Sequence, residues 1–307
     1  MARSMSSTRV SSSTAVEWSA ERAAIDRALS ALCDRHAPTL GEPLASVVRY
    51  ALLGSGKRLR GVLVLAAYRA AGGSRDASAL AAAVEVVHAY SLIHDDLPCM
   101  DDDDMRRGRP TTHRAYGVRA ATVAGVSMVP LAAAAAFDAC LALGLPASTG
   151  GRVVGELMRA SGASGMVGGQ LLDLEGEGRP LGVAELERIH RGKTGALIRA
   201  AAVVGGIAAG ATESRLAALG TFGDCIGLAF QIADDVLDVT ATTDRLGKTA
   251  GRDLDLHKST YPALLGVDRA RQRAFALVDD GCAGLRAAGL LSTELDALAR
   301  FVVERES

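Results

Sequence analysis

Aromatic residues are scarce in this chain, at 4% of 307 residues, with a single tryptophan and only eight prolines. Beside 49% hydrophobic and 22% charged residues, that scarcity suits alanine- and leucine-rich helices better than sheets and excludes disorder for most of the chain. Net charge is just as slight. The 34 basic and 35 acidic residues leave −1, so the net-basic field that nonspecific nucleic-acid binding needs is missing, and any phosphate chemistry has to be local. Cysteines are few and unpatterned: Cys33, Cys99, Cys140, Cys225 and Cys282 are far apart, odd in number and without a C-x-x-C pair. Neither a disulfide framework nor a zinc knuckle is suggested, and a cytoplasmic location is expected. The N-terminus, MARSMSSTRVSSST, has no apolar run to serve as a signal core, and reads as a disordered tail over residues 1–15. Its lack of acidic residues before Glu17 also gives it the flavour of a short transit segment. A membrane span is not expected either. The uncharged stretch from Ala120 to Phe137 is mostly alanine, is interrupted by Pro130, and is bracketed by Arg119 and Asp138 like an interior helix of a bundle.

What is present is helical periodicity. Val84, Val87, Ser91 and Leu92 fit one face, and Leu186, Ile189, Thr194 and Leu197 do so more loosely. Breakers fall at Gly54/Gly56, Ala71 to Ser74, Gly108 to Pro110, Gly144 to Gly151, Gly176 to Pro180 and Asp244 to Gly251, which predicts about ten helices. With no linker and no fixed-period repeat, one all-α domain over residues 16–307 is the economical reading.

Chemistry enters with the acidic residues. The segment HDDLPCMDDDDMRRGRP sets Asp95, Asp96, Asp101, Asp102, Asp103 and Asp104 within ten positions. In an ideal helix Asp95 and Asp101 point about 120° apart, but Pro98 cannot continue a regular helix, so a turn there brings Asp101 back toward Asp95. Carboxylates that close repel, and a hard divalent cation with oxygen ligands, magnesium above all, relieves the repulsion. A solvated acidic helix start is the competing reading. The second cluster, QIADDVLDV, has Asp234 and Asp238 four apart in an otherwise apolar segment, where solvation is a poor explanation and pairing or metal binding a better one.

Cations lie nearby. Gly54-Ser55-Gly56-Lys57-Arg58-Leu59-Arg60 puts three beside a glycine loop, and Arg106 and Arg107 follow the first acidic run. On a helix that pair projects about 100° apart and serves two different phosphates. Lys193 and Lys248 each sit in a Gly-Lys-Thr triplet, where backbone N–H groups can also face an anion. A Walker A loop is excluded by spacing: the first glycine it requires is replaced by Glu187, Thr242 or Ala51, and Arg58 stands where Ser or Thr is needed after Lys57.

These residues resemble the trans-isoprenyl diphosphate synthase family, most closely its bacterial farnesyl diphosphate synthase type. GSGKRLR, HAYSLIHDDLPCMDDDDMRRGRPTTH, GMVGGQLLDLEGEG, IHRGKTGALIRAA, IGLAFQIADDVLDV and LGKTAGRDLDLHKSTYPALLG follow one another in the family's order from about residue 45 to 266. The resemblance implies the all-α isoprenoid synthase bundle with a central active-site cavity, a homodimer, and head-to-tail condensation of isopentenyl diphosphate with an allylic diphosphate. It implies that Asp95, Asp96 and Asp101 form a first magnesium site and Asp234, Asp235 and Asp238 a second. Lys57, Arg60, His88 and Arg107 match the isopentenyl diphosphate site. Arg106, Lys193, Lys248 and Lys258 match the allylic diphosphate contacts, and Thr194 and Gln231 match residues near the developing allylic cation. Tyr90 and Ser91, five and four residues before Asp95, match the floor that limits product length, which implies mainly farnesyl diphosphate. A geranylgeranyl diphosphate synthase, and a weakly active or noncatalytic subunit of a heteromeric synthase, stand as alternatives. A terpene cyclase has no need of a second set of diphosphate-binding cations.

Two positions depart from the family. Gly61 follows KRLR in place of the usual proline, and Val126 follows Gly125 in place of aspartate, which implies a lost polar group on an active-site-facing helix. His94 and His113 read as polar helix-end residues, Phe230 as core or cation-facing, and Cys99 as a small loop residue. Asp102, Asp103 and Asp104 read as secondary to the metal or facing solvent.

Overall fold

The computed structural model describes residues 18–240 and 259–305. The tail 1–15, Lys248 and Lys258 lie outside the described residues. The chain runs α1 (Ser19–Leu40), α2 (Leu44–Leu52), α3 (Leu59–Ala70), α4 (Ser78–Asp95), α5 (Thr112–Tyr116), α6 (Val118–Ala142), α7 (Ala147–Ser161), α8 (Met166–Gly176), α9 (Val183–His190) and α10 (Ala196–Ala208). It continues through α11 (Glu213–Thr240), α12 (Tyr261–Leu265), α13 (Val267–Ala287) and α14 (Thr293–Glu304). Among the described residues the only strands are β1 (Met105–Arg106) and β2 (Arg109–Pro110), a two-residue antiparallel hairpin. The all-α expectation holds, but the fourteen helices described exceed the predicted ten. Glycines with positive φ account for two of the extra breaks: Gly117 (φ 85°) and Gly266 (φ 81°) each end a five-residue helix and start a long one with no loop between.

The scarcity of aromatics has a packing consequence. α4 is buried nearly all round because its sequence is alanine and valine on every face, and it packs against α1, α3 and α6. α10 lies against α3, α7 and α11, close enough that a Cβ on Gly205 meets Val64 O at 2.5 Å and Tyr68 N at 2.9 Å. Small residues thus let backbones approach where larger ones hold them apart. α6 and α11 are long and apolar enough to cross a bilayer by length and composition. Each nevertheless buries a face in the bundle, and α11 carries four aspartates.

The loop before α3 is held from inside. Arg58, in the left-handed region at φ 52°, is buried and donates to Leu52 O (3.0 Å) and Gly54 O (2.8 Å) while pairing with Asp26 (2.8 Å). Arg58 is therefore a structural cation, which leaves Lys57 and Arg60 for other work. Glu85, only 2% exposed, lies 3.8 Å from Arg58 and accepts from Gly61 N at 2.9 Å. The glycine that departs from the family's proline supplies an N–H that proline lacks. Gly61→Pro is expected to leave this buried carboxylate one donor short and to press ring atoms on Ile25, which a Cβ alone approaches to 2.9 Å. Urea unfolding checks the expected loss of about 2 kcal/mol, and an unchanged midpoint shows the Glu85 contact to be dispensable.

Candidate functional site

α4 stops at Asp95, and the chain folds back on itself at Pro98. Asp101 N donates to Asp95 O (2.9 Å), Met100 N to Leu97 O (2.9 Å) and Asp103 N to Asp96 O (3.3 Å). The turn anticipated at Pro98 is present. It sets Asp95, Asp101 and Asp103 on one wall of a cleft of about 230 Å³. Burial pushes the Asp95 carboxyl up to about 6, against the pull of Lys193 and with the like charge of Asp101 adding to the rise. Asp96 is buried beside a second cleft and accepts from Arg106 Nε at 2.7 Å. Asp102 and Asp104 are exposed, and Asp104 pairs with Arg114. With the buried His113 they bring potential ligand atoms within 4.8 Å of one another.

The opposite wall is α11. Asp234 and Asp235 line the same cleft, together with Gln231. The Asp234 side chain is 39% exposed and lies 3.2 Å from Arg305 Nη2. Both oxygens of Asp235 are engaged: Oδ1 accepts from Gln231 Nε2 (3.1 Å), and Oδ2 from Tyr261 N (3.0 Å) with His190 Nε2 at 3.4 Å. Asp238 is buried, is not among the lining residues, and keeps one oxygen without a hydrogen-bond partner. Carboxylate oxygens face the cleft from both walls, beside His190 and Lys193, and such a set of hard oxygen ligands fits a divalent ion.

Lys193 and Thr194 arrive by a local distortion. The predicted anion-facing N–H groups of Gly192-Lys193-Thr194 are absent, because Arg191–Gly195 forms a π-turn inside a continuous helix from α9 to α10. The widened turn lies against α8, where a Cβ on Gly169 meets Lys193 N at 2.0 Å. Lys193 Nζ reaches Asp173 at 2.6 Å, and the Thr194 hydroxyl donates to Gln231 Oε1 at 3.0 Å. Bulges of this kind re-aim side chains that a regular helix carries elsewhere.

The second cleft is basic. Ser55, His88, Arg106 and Arg107 line it, and it shares Leu92 and Arg106 with the acidic cleft. Arg106 and Arg107 are not on a helix as predicted; Arg106 belongs to β1, and Arg107 follows it in the hairpin turn at φ 52°. They still diverge: Arg106 meets Asp96 and Asp103, whereas Arg107 donates to Ser55 O (2.9 Å) and lies 3.4 Å from His88 Nε2. Burial, with Arg305 and Arg107 nearby, lowers the Lys57 pKa. Burial, opposed by Glu85 and reinforced by Arg107 and Arg305, lowers Arg60 to about 10. His88 is held well below its ordinary value by burial and by Arg60 and Arg107. Mutual depression of this kind marks cations gathered where an anion is wanted.

Arg305, which sequence reasoning missed, joins this group from the carboxy-terminal end. Its guanidinium lies 3.8 Å over the Phe230 ring and donates to Phe230 O and Asp234 at 3.2 Å. Asp173, His190 and Tyr261 were also missed. Asp173 stood in the GMVGGQLLDLEGEG segment without a visible partner, and nothing in the sequence marked the other two. Tyr90 and Ser91 are buried but do not line the acidic cleft, which Leu92 does. The Tyr90 hydroxyl donates to Ser161 O at 3.2 Å, so hydrogen bonding as well as packing holds it. Val126 is 60% exposed and lines neither cleft, which corrects the expectation that it faces the active site. Phe230 is half-buried beneath Arg305, and His113 lies in the last turn of α5, as read from the sequence, and is buried there.

A family model described as polyprenyl synthetase matches residues 42–280. The farnesyl diphosphate synthase of Escherichia coli is 46% identical over 275 residues, 87% of this chain and 91% of that protein. A chloroplastic geranylgeranyl pyrophosphate synthase of Arabidopsis thaliana is 42% identical over 88% of this chain and 79% of its own. Among solved structures, the geranylgeranyl pyrophosphate synthetase of Pyrococcus horikoshii matches with a TM-score of 0.80 at 32% identity, over 94% of this chain and 97% of that one. A geranyltransferase of Helicobacter pylori complexed with magnesium and isoprenyl diphosphate matches at 0.76 and 29%, over 98% of both chains.

The raised Asp95 carboxyl makes a pH prediction for the metal-free protein. Folded, it keeps its proton to about pH 6; unfolded, it loses it near pH ~4. Between these values the folded state binds more protons, so the Asp95 contribution to stability falls as pH rises through the window. Asp95→Asn, with no such proton to lose, is expected to gain on the wild type by about 2 kcal/mol from pH ~4 to ~6 in chelator. Melting curves across that range check it, and a constant difference contradicts the burial described.

Proposed function

The chain belongs to the polyprenyl synthetase family and is a prenyltransferase, and from that premise we propose that it joins isopentenyl diphosphate head to tail to dimethylallyl or geranyl diphosphate, giving mainly farnesyl diphosphate. The observation that supports this best is the pair of oppositely charged clefts sharing Leu92 and Arg106 as a wall. One substrate needs metal and cations at a diphosphate that leaves; the other needs cations alone at a diphosphate that stays.

In this reading Asp95, Asp101 and Asp234 hold magnesium, with Asp96, Asp235 and Asp238 buried behind or beside them. Magnesium, when bound, neutralises charge growing on the departing diphosphate. Lys193 and Arg106 add cationic donors to the same oxygens, and Lys248 and Lys258, which lie outside the described residues, are proposed to join them. As the allylic carbon–oxygen bond breaks, positive charge develops near Thr194 and Gln231, whose side-chain oxygens lie 3.0 Å apart. His88 and Arg107, from the wall of the basic cleft, with Lys57 and Arg60, which do not line it but whose charges couple to Arg107, hold isopentenyl diphosphate with its double bond toward that carbon. The alkene forms the new carbon–carbon bond, and the proton then lost passes to the displaced diphosphate. No protein base is required: in the basic cleft His88 is held neutral by burial and its arginine neighbours, while Glu85 and Asp96 are taken up by Gly61 N and Arg106.

Tyr90 is proposed as the floor, tied by its hydroxyl to the end of α7. The geranylgeranyl synthases among the relatives support a twenty-carbon product as a second reading. The outer face of α6, with Val123, Val126 and Leu141 all exposed, supports a homodimer covering that surface, and the relation to a bacterial synthase supports a cytoplasmic location.

Incubation of the purified chain with magnesium, isopentenyl diphosphate and dimethylallyl diphosphate is expected to yield farnesyl diphosphate. Tyr90→Ala opens the floor and breaks the Ser161 contact, so chromatography should show the major product longer by one isoprene unit, at a stability cost of about 3 kcal/mol. A twenty-carbon main product from the wild type, or an unshifted distribution from the variant, contradicts the floor assignment.

A further inference from the structure

Asp235 is the least available of the carboxylates in the acidic cleft. Its side chain is 4% exposed, against 39% for Asp234 beside it. Tyr261 N and Gln231 Nε2 take one oxygen each, and His190 stands 3.4 Å from the oxygen that Tyr261 holds. The His190 ring is itself stacked on Tyr261, with centroids 5.8 Å apart and planes at 19°, while the Tyr261 hydroxyl donates to Glu187 at 2.8 Å. A carboxylate in such a cage has little left to offer a metal ion.

It has a clear effect on Gln231. An ionised carboxylate only accepts hydrogen bonds, so an amide beside it must turn its NH2 inward. The other end of the same amide meets the Thr194 hydroxyl, which donates to Oε1 at 3.0 Å. The carboxylate alone fixes the orientation, NH2 to Asp235 and carbonyl oxygen to Thr194, because the Thr194 hydroxyl can donate or accept and follows whichever end it meets. A carbonyl oxygen stabilises positive charge developing nearby, and an inverted amide opposes it.

We propose that Asp235 is a positioning residue, caged by Tyr261 and His190, that fixes Gln231 with its carbonyl oxygen toward Thr194 and the developing allylic cation, and that it is not a magnesium ligand. The proposal rests on the prenyltransferase reading, which wild-type turnover tests separately before any substitution is made.

Asp235→Asn donates as well as accepts, and so releases the amide from its single orientation. Its kcat is expected to fall at least about tenfold, with both KM values within about twofold of wild type. Calorimetric binding of inorganic diphosphate with magnesium is expected to be unchanged, whereas Asp234→Asn weakens it. Placed on Gln231→Leu, which has no amide to orient, Asp235→Asn is expected to cost less than about twofold more. His190→Ala provides a second route should Asp235→Asn fold poorly: it removes the ring that stacks on Tyr261 and closes the cage, so a smaller fall in kcat with unchanged KM values is expected, largely restored in His190→Phe, which keeps the ring. The proposal is overturned if Asp235→Asn weakens magnesium diphosphate binding as Asp234→Asn does. It is overturned equally if the Asp235 and Gln231 substitutions multiply independently, or if His190→Ala leaves kcat unchanged.

Discussion

Carboxylates at Asp95, Asp101 and Asp234 gather at one cleft, and cations at Lys57, Arg60, Arg107 and Arg305, close enough to depress one another, form a second group; each group repels itself. Neither group is stable alone in a partly buried setting, because desolvation and like charge both oppose it. Arg106 eases the conflict by meeting Asp96 and Asp103 from the shared wall. Arg305 eases it from the other end by reaching Asp234. The remaining imbalance is of the kind that a divalent ion and phosphate groups offset.

Holding such groups in place falls to a scaffold made of small residues. α4 is largely buried apart from the face of His88, Leu92 and Asp95 that lines the clefts, and it ends just before Pro98, which delivers Asp95 to the cleft at a fixed height. α10 lies close to α3 because Gly205 has no side chain, and the π-turn ahead of it aims Lys193 and Thr194 at Asp173 and Gln231. Gly169 allows that turn to sit against α8. Low aromatic content is therefore part of the design of the site, since bulky residues at these crossings separate the backbones that position it.

Much of this was legible in the sequence, for identifiable reasons. Six aspartates interrupted by one proline announce both repulsion and a turn, and the turn forms as expected. Aspartates inside an apolar helix announce a buried demand for partners, although Asp234, Asp235 and Asp238 meet it in three different ways. The failures are of another kind. A π-turn differs from an α-helix by one residue per turn, and the period of the flanking apolar residues is too short to record it. The hairpin carrying Arg106 and Arg107 is two residues per strand, below the length at which alternation can be read. Arg305, His190 and Tyr261 matter through contacts with residues far away in the chain, and no local pattern carries that information. Val126 was misplaced because its neighbour Gly125 does face inward, packed against His94, while one step along a helix turns a side chain by about 100°.

The division of labour between the clefts is the central claim, and calorimetry of the two substrate classes measures it most directly. Isopentenyl diphosphate is titrated into the chain with magnesium and with chelator, and an unreactive thio analogue of an allylic diphosphate is titrated in the same way. The account predicts that isopentenyl diphosphate binds with affinities within about threefold in the two conditions, because its cleft is built of cations, and that the allylic analogue loses at least about a hundredfold without metal. Equal metal dependence for both ligands would contradict it.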